Sequence, residues 1–149
     1  MPMVDTITTT VEIATTTMNE PNTDFITQPE RKKYMSDKTQ AFLEKFKGDF
    51  EKMKQAAPDM VKGFGGLFQS VMKDGALKKK EKELVALGIA VAQRCEPCIN
   101  LHVQKCLEAG NSAPEILEAA CVAVMMQGGP AYTHIPVVIE ALESLAPKT

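Results

Sequence analysis

Two cysteines and a histidine with the spacing of a redox site lie in the middle of this 149-residue sequence. Cys95 and Cys98 form a Cys-x-x-Cys pair, a type in which a thiol pKa is often lowered enough for redox chemistry. His102 follows Cys98 by four residues, so on a helix the two side chains are neighbours on one face. An imidazole at that position can exchange a proton with the sulfur atom. The spacing therefore indicates thiol chemistry.

The dipeptide between the cysteines predicts where a helix starts. A residue before proline avoids the α conformation, so we predict that Glu96 is not helical and that Pro97 takes the first helical position. Cys98 then falls in the first turn, where unpaired backbone N–H groups and the positive end of the helix dipole stabilise a thiolate. Since only the thiolate is a nucleophile, this placement favours catalysis.

Glu83 is the candidate fourth member of the site. It precedes Cys95 by twelve residues, which on one unbroken helix is about 18 Å. The break at Glu96-Pro97 lets the two helices fold back on each other, so that Glu83 can face the Cys/His cluster as a proton acceptor. The alternative is that Glu83 is a solvated charge in a lysine-rich helix turn. Only its spacing from Cys95 favours the role of proton acceptor.

The elements that position these residues are all predicted to be helices. An apolar stripe at i, i+4, i+8 and i+11 indicates an amphipathic helix, and its residues are Phe42, Phe46, Phe50 and Met53. Ser112 and Glu115 form a capping box that starts another helix, which Gly128-Gly129-Pro130 ends. Pro136 kinks or splits the last helical stretch. Further helices are predicted over about 59–73, 78–94 and 97–110.

The chain divides into two parts in this interpretation. Residues 1–34 are rich in threonine and lack helical periodicity, so we predict a disordered tail. Residues 35–149 form one all-α domain. Within it, Cys121 is predicted to be a buried small hydrophobe on an apolar stripe, and Cys106 either the same or a residue behind the site. Met125-Met126 is assigned to the core or to a subunit interface.

Composition excludes several classes of function. A net charge of −2 does not favour binding to nucleic acid or to an anionic membrane surface. No apolar run approaches the roughly 20 residues that span a bilayer. The first 30 residues contain no Lys or Arg, whereas secretory signals and mitochondrial presequences carry positive charge. A cytoplasmic location is the expectation.

The pattern Glu-x11-Cys-x2-Cys-x3-His resembles the signature of the alkylhydroperoxidase D family, within the carboxymuconolactone decarboxylase-like superfamily. The resemblance covers roughly residues 60–145 and includes the Ala-rich helix before Cys95 and the Gly-Gly-Pro-Ala segment from Gly128. It implies an all-α fold and peroxide reduction through a disulfide. Cys98 would attack the peroxide, Cys95 would resolve the sulfenic acid, and His102 and Glu83 would relay protons.

The same resemblance implies the partners. They are a small hydroperoxide, a lipoyl-bearing or thioredoxin-like reductant, and further copies of the chain in a dimer-based hexamer. It implies no cofactor and no metal. Decarboxylases of the superfamily lack the cysteine pair, which argues against lactone decarboxylation.

Three alternatives stay open at this point. Cys95, Cys98, His102 and Cys106 could hold a structural zinc ion, although such sites usually draw ligand pairs from separated segments. The chain could also be a scaffold on the same fold, or exchange disulfides with proteins and have little peroxidase activity. The Cys-Glu-Pro-Cys sequence is similar to thioredoxin-like sites, in which the first cysteine attacks, so the order of the two cysteines is also open.

Overall fold

The computed structural model describes the backbone of residues 29–145 and the side chains from residue 38 onward. Within these residues the chain forms seven helices and no strand, which confirms the all-α prediction. The helices are α1 (Pro29–Ala56), α2 (Pro58–Met72), α3 (Lys79–Ala92), α4 (Glu96–Glu108), α5 (Ala113–Gln127), α6 (Gly129–Tyr132) and α7 (Ile135–Leu145).

Local sequence signals set several of these boundaries. The Ser112 hydroxyl accepts from the Glu115 N–H at 3.4 Å, and the Ser112 N–H donates to Glu115 Oε2 at 2.7 Å. This is the predicted capping box. The last helical stretch is split into α6 and α7. Pro136 is the second residue of α7, where a missing N–H breaks no helical hydrogen bond.

Helix α1 starts earlier than the sequence predicted. Residues 29–34 belong to this helix, although the sequence placed them in a disordered tail. Pro29 suits a first helical position, and the charged residues 30–33 are adequate helix formers even without an apolar face. Residues 1–28 lie outside the described residues, and for them the tail stays a prediction.

The core lies between α3, α4, α5 and α7. Each of these helices contributes an apolar stripe, and the largest fully buried apolar side chains are Leu87, Val91, Ile99, Val103, Ile116 and Val138. The Phe42–Phe46–Phe50 stripe of α1 is only partly covered, with Phe46 40% exposed.

One sequence prediction about α5 was wrong, because Cys121 is exposed rather than buried. Met125 and Met126 are 72% and 75% exposed, so they are not part of the core, and their assignment to a subunit interface stays a prediction. The buried stripe of α5 consists of Ile116, Ala120 and Ala123. The error arose because α5 is apolar on nearly all sides, so periodicity did not identify the face that packs.

Helix α2 lies outside this core. None of its residues is buried, and Met60, Phe64, Leu67 and Val71 form an exposed apolar stripe. The other side of the helix, with Val61, Phe68 and Met72, is half-buried. At the C-terminal end, Lys82 Nζ donates to the Val71 and Lys73 carbonyls, each at 2.7 Å. In the part of the chain that the structure describes, no helix is long and apolar enough to cross a membrane.

Candidate active site

The turn between α3 and α4 places the first cysteine. The Cys95 N–H donates to the Ala90 carbonyl at 3.1 Å, and the Arg94 N–H donates to the Val91 carbonyl at 3.0 Å. These two bonds form a Schellman motif, which requires a left-handed residue at its centre. Arg94 takes that conformation with a φ of 57°, although glycine is the usual residue there. Cys95 is therefore held by the end of α3.

The second cysteine lies in the first turn of α4. Cys98 is the third helical residue and is half-buried, and its sulfur atom is 2.13 Å from that of Cys95, within disulfide-bonding distance. The helix begins at Glu96, so the prediction that Glu96 is not helical was wrong. Proline at the second helical position still breaks no hydrogen bond, and Cys95 takes the non-helical role instead, with φ −94° and ψ 87°.

Glu83 and His102 meet between α3 and α4. His102 Nδ1 is 2.9 Å from Glu83 Oε2, and the two residues are 19 positions apart in the sequence. The Glu83 side chain is completely buried, and that of His102 is 16% exposed. The structure thus brings Glu83 to the histidine that follows Cys98 by one helical turn, and not to solvent.

Neighbouring lysines do not neutralise Glu83. The Nζ of Lys82 binds backbone carbonyls at the end of α2, and Lys80 Nζ lies 3.5 Å from Glu115 Oε1. Among the described residues, His102 is the ionic partner of Glu83, and the buried Oε1 of Glu83 has no hydrogen-bond partner. The Glu83 carboxylate therefore faces His102 and makes no other side-chain hydrogen bond within the described residues.

Cys106 is the third cysteine of this region. It lies one helical turn after His102, is fully buried, and has a free thiol. Burial, with the negative charge of Glu83 as the smaller cause, raises the pKa of this thiol to about 12. Cys106 therefore stays protonated and is not a nucleophile at neutral pH.

Asn100 was missed by the sequence interpretation. It is buried on the core side of α4, and its Nδ2 donates to the Glu96 carbonyl at 2.9 Å, which braces the segment between the two cysteines. The spacing of four residues was visible in the sequence, but a lone asparagine within a helix carries no signal of burial.

The zinc alternative finds no support in the site. Among the described residues, no three His, Cys, Asp or Glu side chains are grouped so that they could hold a metal ion. His102 turns its Nδ1 to Glu83, and Cys95 and Cys98 are paired with each other.

The fold and site together define an all-helical protein with a cysteine pair at a helix N-terminus and a buried Glu–His pair beside it. Residues 58–136 match the sequence pattern of the carboxymuconolactone decarboxylase family. This match covers more than half of the chain, so the chain belongs to that family. The match confirms the resemblance drawn from the sequence.

Related proteins agree with this assignment. A carboxymuconolactone decarboxylase family protein of Legionella pneumophila has a similar structure, with a TM-score of 0.72 and 35% identity over 74% of this chain and 99% of that one. A family member from Thermotoga maritima, for which an antioxidative role has been suggested, has a TM-score of 0.63 and 31% identity over 70% of this chain and 89% of its own. An uncharacterised protein of the Paracoccus denitrificans cox locus is 33% identical over 61% of this chain and 82% of its length.

Proposed function

We propose that this protein is a thiol-dependent peroxidase that reduces hydroperoxides through a Cys95–Cys98 disulfide cycle. The observation that carries the proposal is the buried contact between Glu83 and His102, one helical turn from Cys98. An imidazole whose Nδ1–H is held by a carboxylate presents Nε2 as a base, and its protonated form is stabilised by the same carboxylate.

In the first step the Cys98 thiolate attacks the terminal oxygen of the hydroperoxide. A sulfur–oxygen bond forms, the oxygen–oxygen bond breaks, and the departing alkoxide takes a proton from His102 to leave as an alcohol. The sulfur atom of Cys98 is oxidised to a sulfenic acid by two electrons, and the peroxide is reduced by two electrons. Glu83 stabilises the charge that His102 carries before this transfer.

In the second step Cys95 resolves the sulfenic acid. Its sulfur attacks that of Cys98, the disulfide forms, and water leaves with the proton of the Cys95 thiol. A dithiol reductant, lipoyl-bearing or thioredoxin-like, then returns both cysteines to thiols. Arg94, Glu96 and Pro97 are exposed beside the pair, so a protein reductant has access to this end of α4.

The family relationship supports this proposal, because a relative with the same fold has a suggested antioxidative role. Exchange of disulfides with a protein substrate is the second candidate, favoured by the exposed residues around the cysteine pair. The two differ in whether a hydroperoxide is consumed.

The test is mass spectrometry of the reduced protein before and after one equivalent of an organic hydroperoxide. We expect the loss of two hydrogen atoms, located by peptide analysis to a Cys95–Cys98 disulfide, and formation of the corresponding alcohol. The Cys95→Ser variant should instead gain one oxygen atom on Cys98. Cys121→Ser, at an exposed cysteine far from the pair in sequence, is the matched control and should behave as the wild type. Peroxide left unconsumed by the reduced wild type would reject the peroxidase and leave disulfide exchange.

A further inference from the structure

Arg94 is a charged residue beside the cysteine pair that the proposed cycle does not use. It is exposed and directly precedes Cys95. In the part of the chain that the structure describes, it is also the one residue other than glycine with a positive φ. This conformation is strained for a residue with a Cβ atom, and strained residues are concentrated at functional sites. An arginine where glycine would be less strained indicates a function for its side chain.

The Arg94 guanidinium is not neutralised within the protein. None of the ion pairs among the described residues includes it. Glu96, the nearest carboxylate in the sequence, instead lines a small pocket between α1, α4 and α7, together with Lys38 and Glu140. The positive charge of Arg94 is therefore available to a molecule that approaches the cysteine pair from solvent.

The helix positions of the two cysteines decide which sulfur atom a reductant attacks. A thiolate that attacks one sulfur of a disulfide expels the other, and expulsion is faster when the departing thiolate is better stabilised. Cys98 lies in the first turn of α4, where backbone N–H groups and the helix dipole stabilise a thiolate, whereas Cys95 precedes the helix. Cys98 is thus the better leaving group. Attack falls on the sulfur of Cys95, the neighbour of Arg94.

We propose that Arg94 is a specificity-determining residue for the reductant, whose guanidinium attracts a dithiol with negative charge near its thiols to the Cys95 side of the disulfide. The inference rests on the disulfide cycle of the proposed function, and it adds the charge of the reductant and the sulfur that is attacked. The negative charge has two sources to distinguish, a carboxylate of the dithiol itself and an acidic surface of the protein that carries it.

The reaction is two successive thiol–disulfide exchanges. A thiolate of the reductant attacks the Cys95 sulfur, the bond to Cys98 breaks, and Cys98 leaves as a thiolate. The second thiol of the reductant then attacks its partner sulfur in the mixed disulfide and releases Cys95. The reductant departs as a cyclic disulfide, its two protons pass to the cysteines, and two electrons pass from the dithiol to the cysteine pair.

The experiment compares dithiols that have the same reacting thiols but a different charge. Dihydrolipoate carries a carboxylate, and dihydrolipoamide has a neutral amide in its place. An acidic lipoyl domain carries the same dithiol on a protein. Each reduces the oxidised protein at an ionic strength of about 0.01 M, where charges interact over about 30 Å. The reaction is stopped with N-ethylmaleimide, and peptide-resolved mass spectrometry counts the Cys95 and Cys98 thiols.

The quantity compared is the rate constant for each charged reductant divided by that for dihydrolipoamide, which cancels any effect common to all dithiols. We expect Arg94→Gly to lower the ratio for dihydrolipoate roughly twofold to fourfold, the effect of one unit charge at this range in water. Glycine fits the left-handed turn, so this variant keeps the backbone. A lowered ratio for the lipoyl domain alone would assign the negative charge to the carrier protein.

Two variants and a salt series serve as controls. Arg94→Lys keeps the charge and should keep the wild-type ratios. Lys79→Gln removes an equal charge at the opposite end of α3, roughly 20 Å away, and should have a much smaller effect. At an ionic strength of about 1 M, where the Debye length is about 3 Å, wild type and Arg94→Gly should have the same ratios.

The inference alone is overturned if Arg94→Gly leaves both ratios at their wild-type values, including the case in which it slows all three reductants equally. Such an equal effect would belong to the backbone of the turn and not to charge. Failure of every dithiol to reduce the Cys95–Cys98 disulfide of the wild type would instead overturn the cycle of the proposed function, and this inference with it.

Discussion

Glu83 Oε2 and His102 Nδ1 are 2.9 Å apart across the α3–α4 interface, with the carboxylate sealed from solvent. A carboxylate in this position fixes which nitrogen of the ring carries the proton and holds the ring in one orientation. The contact joins the middle of one helix to the middle of the next, so it does not depend on a loop. It explains why a Glu twelve residues before the cysteine pair can belong to the site.

The first prediction concerns this contact. Glu83→Gln keeps the size and polarity of the side chain but removes its charge. We expect peroxide turnover to fall by roughly 10²–10⁴-fold, the usual effect of losing a general base. The pH dependence of Cys98 alkylation should shift to higher pH, because the charged form of His102 is no longer stabilised.

Glu118→Gln is the matched control, since Glu118 is an exposed glutamate on α5. It should leave both measurements unchanged. If Glu83→Gln turned over peroxide as fast as Glu118→Gln, the Glu–His pair would have no part in catalysis.

The second prediction compares two helix ends that have the same hydrogen-bond pattern. After α4, Gly110 has a φ of 88° and its N–H donates to the Leu107 carbonyl. At the end of α3, the Arg94 N–H donates in the same way to the Val91 carbonyl. A left-handed conformation costs a non-glycine residue about 1–2 kcal/mol. Arg94→Gly should therefore raise the free energy of unfolding by up to about 1 kcal/mol after the entropy of glycine is deducted. Gly110→Ala should lower it by about 1 kcal/mol.

Chemical denaturation of both variants measures these changes. A loss of stability in Arg94→Gly would mean that the arginine side chain contributes a contact worth more than the backbone strain it introduces.

The third prediction tests the cap of α5. Ser112→Ala should cost about 1 kcal/mol of unfolding free energy, because the N–H of Glu115 loses its acceptor. The Ser112 N–H lowers the pKa of Glu115 below its usual range, with a smaller contribution from the Ser112 hydroxyl. An acid with a lowered pKa contributes stability above its unfolded-state pKa, and this stability is lost as the pH falls through the folded-state pKa. The difference between Ser112→Ala and wild type should thus shrink in acid. Ser70→Ala, at an exposed position of α2, should be nearly neutral at every pH.

The fourth prediction follows from the Cys106 thiol. Its pKa is about 12 in the folded protein and 9.0 as the reference value, so above pH 9 the unfolded chain loses a proton that the folded chain keeps. The contribution of the protonated thiol to the free energy of unfolding is therefore intact below pH 9. It is lost as the pH rises toward 12, at a slope of at most about 1.4 kcal/mol per pH unit. Cys106→Ala should show a shallower loss of stability in this range. Parallel curves for the two proteins would show that the thiol ionises as readily in the fold as in solution.

The fifth prediction concerns assembly. The exposed apolar stripe of α2, Met60, Phe64, Leu67 and Val71, is unusual for a monomer, because large exposed apolar patches usually mark interaction surfaces. We propose that further copies of the chain cover it in a homo-oligomer. Light scattering should give several subunits at micromolar concentration, and Phe64→Asp should reduce that number. Gln69→Asp, on the exposed polar side of α2, should not. A wild-type monomer would contradict the proposal.

Much of this architecture was predictable because its signals are local. The capping box at Ser112, the helix break at Pro58 and the first-turn position of Cys98 depend on residues within four positions of each other. The spacing of Glu83 and His102 predicted that the two residues lie close together. Because Glu83 is buried, it is not a solvated charge in a lysine-rich turn.

What could not be predicted depends on tertiary packing. The exposure of Cys121 depends on which side of an apolar helix meets α3, and the sequence of α5 is apolar on both sides. The left-handed Arg94 was invisible because glycine is the residue that normally marks such a turn. The position of Cys106 near Glu83 required the register of α3 against α4, which no single helix contains.

The Schellman turn at Arg94 also bears on how the site would tolerate excess oxidant. It fixes the backbone of Cys95 to the end of α3, while Cys98 is part of the first turn of α4, so backbone hydrogen bonds as well as the disulfide hold the two cysteines near each other. The effective molarity of one thiol toward the other is then high, as for any well-oriented intramolecular pair. A sulfenic acid on Cys98 would be captured by Cys95 before a second peroxide molecule could drive it to the irreversible sulfinic acid. Over-oxidation, the usual failure of cysteine peroxidases, would thus be limited by the left-handed φ angle of Arg94, on which this turn depends.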